Sequence, residues 1–214
     1  MPINSLAHWQ ISTSKMNLAI DIGNTRIKLG LFDGRELIEK RTWQTWSLEK
    51  IKSLTTNQNV ENVIFSNVGR KMPDEIEAYL RRQFRCIELI TQTPLPIQNA
   101  YKTPETLGKD RLAAVVGAFE MFPHQNCLVI DAGTCITYDL LRQDGVYLGG
   151  NIAPGLEMRL KAMHHFTANL PLLELGSTEN FVGYSTESAM RNGAQFGTVL
   201  EIQGYMDWCR SELG

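Results

Sequence analysis

Apolar and polar positions fall into a regular rhythm from Met16 onward, where LAID and RIKLGLF flank the turn IGNT and predict two paired β-strands over Met16 to Phe32. A third strand near Leu37 to Trp43 would complete a meander. Ser47 to Leu54 reads as a helix with Ser47 as its N-cap. The apolar run Val60 to Val68 follows, then a helix over Pro73 to Arg82 and a strand at Cys86 to Ile90. Alternation of strands and helices predicts an α/β fold. The proline-bearing stretch TQTPLPIQNAYKTPE predicts a loop leading into a helix over Glu105 to Phe122, where Leu112, Val115, Val116 and Phe119 recur at helical spacing as one buried stripe.

The opening theme then returns. CLVIDAGTCITYDLL is again an apolar strand, a D-x-G turn and a second strand, with a third predicted at Val146 to Ile152. Asp21 and Gly23 match Asp131 and Gly133 at one constant offset. With one turn residue dropped, Thr25, Ile27 and Leu31 match Thr134, Ile136 and Leu140. The agreement runs through both strands, so we read an internal duplication. A turn at GGNIAPG, a helix over Leu156 to Phe166, a loop to Gly183 and a long helix from Thr186 complete the chain. In that last helix Gly193 and Gly197 share a face that allows close backbone approach. The organisation expected is an extension without periodicity over residues 1–15, a first half over 16–104 and a second half over 105–214.

Composition narrows the function classes. The 214 residues are 43% hydrophobic and 21% charged, enough for an ordinary core in one large domain or two small ones sharing a cleft. A net charge of -2 gives no general field for nucleic acid or an anionic membrane, so neither is expected as a partner. The four cysteines form no C-x-x-C pair, which points to reduced thiols in a cytoplasmic protein. No apolar run has the length of a membrane span, and the start lacks the apolar stretch of a signal peptide.

An aspartate ending a strand before a Gly and Thr turn brings a carboxylate, backbone N–H groups and a hydroxyl into one small volume, a set suited to phosphate plus a cation. Two such turns facing each other would clamp a nucleotide triphosphate. Lys28 either points towards that cleft or is solvated. His164 and His165 are adjacent on a helix and diverge, which favours surface and packing roles, and Trp43 and Trp46 suit packing. In LGKDRLAA, Gly108 breaks a helical segment before Asp110 and Arg111. Either this is a solvated helix turn, or Asp110 accepts the hydrogen bond of an attacking alcohol and Arg111 meets an anionic group. In GYSTESAM, Ser185 and Thr186 cap the long helix or bind a polar substrate.

Taken in order, DIGNTRIK at Asp21 to Lys28, Tyr101 ahead of LGKDR, IDAGT at Ile130 to Thr134, GGNIAPG at Gly149 to Gly155 and GYST at Gly183 to Thr186 resemble the motifs of the type III pantothenate kinases. These belong to the acetate and sugar kinase, Hsp70 and actin superfamily. The resemblance implies duplicated ribonuclease H-like, actin-like ATPase domains with a nucleotide cleft between them, and transfer of phosphate from ATP to pantothenate. It implies a first phosphate loop of Asp21, Ile22, Gly23, Asn24, Thr25, Arg26, Ile27 and Lys28, with Asp131 at a monovalent cation (potassium or ammonium) and Thr134 at ATP. It further implies pantothenate contacts from Tyr101, Gly108, Lys109, Asp110, Arg111 and Thr186, with Asp110 as proton acceptor, a divalent cation such as magnesium, and a homodimer. Other readings are a related small-molecule kinase or phosphohydrolase, and a nucleotide-binding regulator without turnover; Asp21, Asp110 and Asp131 favour an enzyme. Members of that family continue past the long helix into another strand and a T-G-G type turn near the adenosine. This sequence stops at Gly214, so the second sheet is expected to expose an edge.

Overall fold

Strict alternation drives the first sheet. Leu18, Ile20 and Ile22 on β1 (Met16–Ile22) and Ile27, Leu29 and Leu31 on β2 (Ile27–Asp33) are all buried, while the residues between them are not. The computed structural model describes residues 16–23, 26–67 and 71–213; the expected extension over 1–15, Asn24 and Thr25 of the first turn, and Val68 lie outside the described residues. The described chain divides into two compact units, residues 16–94 with Gly108–Asp110, and Leu95–Leu107 with residues 111–213.

In the first unit β3 (Glu36–Trp43) extends the antiparallel meander, and β4 (Val60–Asn67) and β5 (Arg85–Glu88) add on the far side of β1 in parallel, giving the order β3-β2-β1-β4-β5. Parallel neighbours need crossovers. Helices α1 (Leu48–Asn57) and α2 (Asp74–Gln83) supply them and add Ile51, Leu54, Ile76 and Leu80 to the core cluster. Each such side chain, when fully buried, stabilises by about 1.5–3 kcal/mol. Ser47 is the N-cap of α1, its hydroxyl accepting from Lys50 N at 3.3 Å, as the sequence predicts.

The second unit repeats the meander with β7 (Cys127–Ala132), β8 (Cys135–Leu141) and β9 (Val146–Pro154). Register makes the duplication explicit: Asp21 pairs with Lys28 and Ile22 with Ile27, and likewise Asp131 pairs with Thr137 and Ala132 with Ile136. Both turns close through the glycine N–H, Gly23 N to Arg26 O at 3.1 Å and, in the turn one residue shorter, Gly133 N to Cys135 O at 2.9 Å. Helix α3 (Lys109–Met121) buries Leu112 and Val115, with Val116 and Phe119 packed alongside, as its stripe requires. Helices α4 (Leu156–His165) and α5 (Thr186–Leu213) complete the unit around Leu160, Met190 and Ala194.

Three local expectations need correcting. The stretch GGNIAPG is mostly strand rather than turn, because β9 stays paired with β8 as far as Pro154 opposite Cys135. The proline-bearing loop contains a two-residue strand, β6 (Gln98–Asn99), which pairs in parallel with Val146 and Tyr147. Helix α3 begins at Lys109 rather than Glu105, since Thr103 to Leu107 is held as a turn by Thr106 N to Thr103 O at 3.1 Å. The second sheet has the order β6-β9-β8-β7. Whereas β1 is paired on both sides, β7 pairs among the described residues with β8 alone.

Candidate active site

The first acidic turn is built by three strands. Asp21 lies on β1 directly opposite Lys28 on β2 and Ser66 on β4. Same-register residues on neighbouring strands project to the same face. The Lys28 ammonium therefore sits 3.8 Å from the Asp21 carboxylate, and the Ser66 hydroxyl donates to Asp21 Oδ1 at 3.0 Å. Lys28 thus stands beside Asp21, while about half its side-chain surface stays accessible. Asp21 is still 38% exposed, leaving carboxylate surface for a ligand or cation. Ile22 and Ile27 are buried and anchor the ends of the turn; Gly23 and Arg26 close it. Ser66 escaped sequence reading because it lies inside the run Val60 to Val68 with no motif around it.

The second turn exposes Asp131 and Thr134. It rests on the end of β9, where Gly155 N donates to Thr134 O at 3.0 Å. A Cβ at Gly155 would collide with the carbonyl oxygens of Gly133 and Thr134, so only glycine permits this approach. Below it Arg159 donates to Pro154 O at 2.8 Å and to Glu201 at 2.6 Å, and Tyr138 donates to Glu201 at 2.9 Å. These bonds tie β8, the end of β9, α4 and α5 together. Burial and then the bond to Glu201 push the Tyr138 hydroxyl up to about 12.

LGKDR sits at the start of α3, with Asp110 in its first turn and half-buried. A carboxylate there complements the helix N-terminus. Lys109 turns back to Thr91, donating to its hydroxyl at 2.8 Å. Arg111 is not a solvated turn residue: it is 5% exposed and forms an ion pair with Asp139 on β8, itself 1% exposed, at 2.6 Å. Asp139 also accepts from the Tyr147 hydroxyl at 2.7 Å. The Tyr101 ring lies parallel to that of Tyr147, centroids 6.3 Å apart, with the Arg111 guanidinium 5.5 Å from its own centroid. Burial opposes the Arg111 charge, but the bond to Asp139 and its negative charge outweigh that and raise its pKa. Burial, followed by the same aspartate, pushes the Tyr147 hydroxyl up, so it remains a donor. Asp139 and Tyr147 were also missed, although an aspartate inside the otherwise apolar strand ITYDLL is itself a signal that a buried partner exists.

Thr186 is the exposed first residue of α5; the capping is done by Ser185, which exchanges bonds with Ser188 through Ser188 N to Ser185 Oγ at 3.2 Å and Ser185 N to Ser188 Oγ at 2.9 Å. His164 binds the Leu170 carbonyl at 2.7 Å and His165 stands edge-on to Phe166, packing roles as expected. Among the described residues no group of three His, Cys, Asp or Glu is placed to hold a metal ion by itself.

Two β-meanders in the same register, each turning at an Asp-x-Gly and each part of a mixed sheet, define a duplicated α/β protein. Residues 17–207 match the family model of type III pantothenate kinase. The type III pantothenate kinase of Phocaeicola vulgatus is 45% identical over 192 residues, covering 89% of this chain and 79% of the relative. That of Flavobacterium johnsoniae is 40% identical over 200 residues, covering 92% and 82%. The chain belongs to the type III pantothenate kinase family. In fold it is similar to the crystal structure of a conserved Baf family protein from Campylobacter jejuni, with a TM-score of 0.50 and 21% identity over 87% of this chain and 78% of that one.

Proposed function

We propose a division of labour among these residues for the activity that family membership gives the chain, ATP-dependent phosphorylation of pantothenate to 4'-phosphopantothenate in coenzyme A biosynthesis. The turn from Asp21 to Lys28 binds ATP phosphates through its backbone N–H groups and the Lys28 ammonium. Thr134 contributes its hydroxyl to ATP. Tyr101, Gly108, Lys109, Asp110, Arg111 and Thr186 form the pantothenate site. Asp110 accepts the proton of the primary hydroxyl as that oxygen bonds to the γ-phosphorus; the β–γ bridging bond breaks and its electron pair leaves with ADP. Phosphoryl transfer of this kind is mainly alignment and charge neutralisation. The observation that carries this reading is the pair of same-register acidic turns together with an aspartate in the first turn of α3.

The exposed carboxylate of Asp131 fits a monovalent cation, potassium or ammonium, and the part-exposed Asp21 carboxylate fits a hydrated divalent ion, magnesium in the first instance. Such ions offset phosphate charge. Purified Asp110→Asn should lose at least about a hundredfold in kcat with pantothenate KM little changed. The wild-type enzyme should turn over faster in potassium than in sodium. A wild-type rate for Asp110→Asn would remove its role as proton acceptor, and equal rates in the two salts would remove the cation from Asp131.

A further inference from the structure

Asp139 belongs to no motif, yet it is among the most buried charged groups described and accepts hydrogen bonds from two different elements. Arg111 reaches it from α3 with both Nε, at 3.0 Å, and Nη2, at 2.6 Å. Tyr147 reaches it from β9. Both donors also touch the ring of Tyr101, one by parallel stacking and one by its guanidinium. The backbone brings Tyr101 to this place through Ala100 N to Tyr147 O at 2.9 Å and Tyr101 N to Asn99 Oδ1 at 3.0 Å. Gly149, at φ +105, leaves room for the ring, since a Cβ there would lie 2.9 Å from Tyr101 Cδ2. The Tyr101 ring is therefore held by groups whose own positions depend on one carboxylate.

We propose that Asp139 is a positioning residue of the acceptor site, orienting Arg111 and, through Arg111 and Tyr147, the ring of Tyr101 that faces pantothenate. The proposal rests on the reading above in which Tyr101 and Arg111 contact pantothenate. A carboxylate placed for folding alone would, on neutralisation, lower the amount or stability of active enzyme and leave both Michaelis constants alone. One that orients an acceptor contact changes one of them selectively.

The test is steady-state kinetics with pantothenate and ATP varied separately for Asp139→Asn, Tyr147→Phe, Tyr101→Ala and the double variant Asp139→Asn with Tyr101→Ala. Asp139→Asn should raise pantothenate KM about tenfold, the penalty of a misaligned contact, with ATP KM within about twofold of wild type. Tyr147→Phe keeps the stacked ring and removes one hydrogen bond, so it should raise pantothenate KM about threefold. It decides the question alone if Asp139→Asn does not fold. In the Tyr101→Ala background Asp139→Asn should add nothing further, because residues acting through one another are not additive. Unchanged pantothenate KM in Asp139→Asn and Tyr147→Phe, equal shifts for both substrates, or full additivity in the double variant would overturn the positioning role while leaving Tyr101 as a contact. A wild-type pantothenate KM for Tyr101→Ala would instead overturn the contact itself, and this inference with it.

Discussion

Single groups whose environment changes their chemistry sit mainly in the second unit. Tyr138 is 1% exposed, and its hydroxyl, pushed up to about 12, keeps its proton to higher pH than the ordinary tyrosine value of about 10. The unfolded chain releases this proton first, so the contribution is fully present below pH of about 10 and is lost as pH rises through about 12. Its size is on the order of 2 kcal/mol. Melting temperature measured from pH 9 upward should therefore fall, and fall less steeply in Tyr138→Phe, which cannot titrate. Parallel slopes for the two proteins would refute that linkage. Arg111 teaches a complementary lesson. Its place in LGKDR is plain in the sequence, but whether it is solvated or buried depends on Asp139, 28 positions away on another element.

At the scale of elements, β9 and the residue after it meet both Tyr101 and the second acidic turn. From the sequence, GGNIAPG reads as a turn. Pairing with β8 keeps the backbone extended, and the glycines serve close approach instead: Gly149 to the Tyr101 ring and Gly155 to the Thr134 carbonyl. Gly149→Ala combines a positive φ with a crowded ring, so it should destabilise by about 1–3 kcal/mol and raise pantothenate KM together. A variant with wild-type melting temperature and KM would show that the Tyr101 ring moves aside freely. The strands, helices and the Ser47 cap were legible because local alternation, helical spacing and capping chemistry act over a few residues. The start of α3 and the short β6 were not, because turn closure at Thr103 and pairing with Val146 decided them.

For the whole molecule, duplication is the organising fact, and the two meanders differ in what flanks them. Strand β1 is enclosed by β2 and β4, and β7 has an open side among the described residues. Helix α5 carries exposed Val199, Leu200 and Trp208, and a Cβ at Gly193 or Gly197 would meet nothing within 4 Å. Exposed apolar side chains in such number on one helix suit association. We expect a homodimer: light scattering should give twice the 24.2 kDa of one chain, and a monomeric mass would contradict it. No helix among the described residues is long and apolar enough to cross a membrane.

The sequence alone determined the alternation of strands and helices, the repeated acidic turn and the family, because each is written in residues close together or in motifs of fixed order. Tertiary structure alone decided their partners: Ser66 and Lys28 beside Asp21, Asp139 beneath Arg111, Tyr147 against Tyr101, and Gly155 under Thr134. Spacing along a chain fixes which face a residue occupies, but a buried charge or ring takes its energy from whatever distant element closes over it.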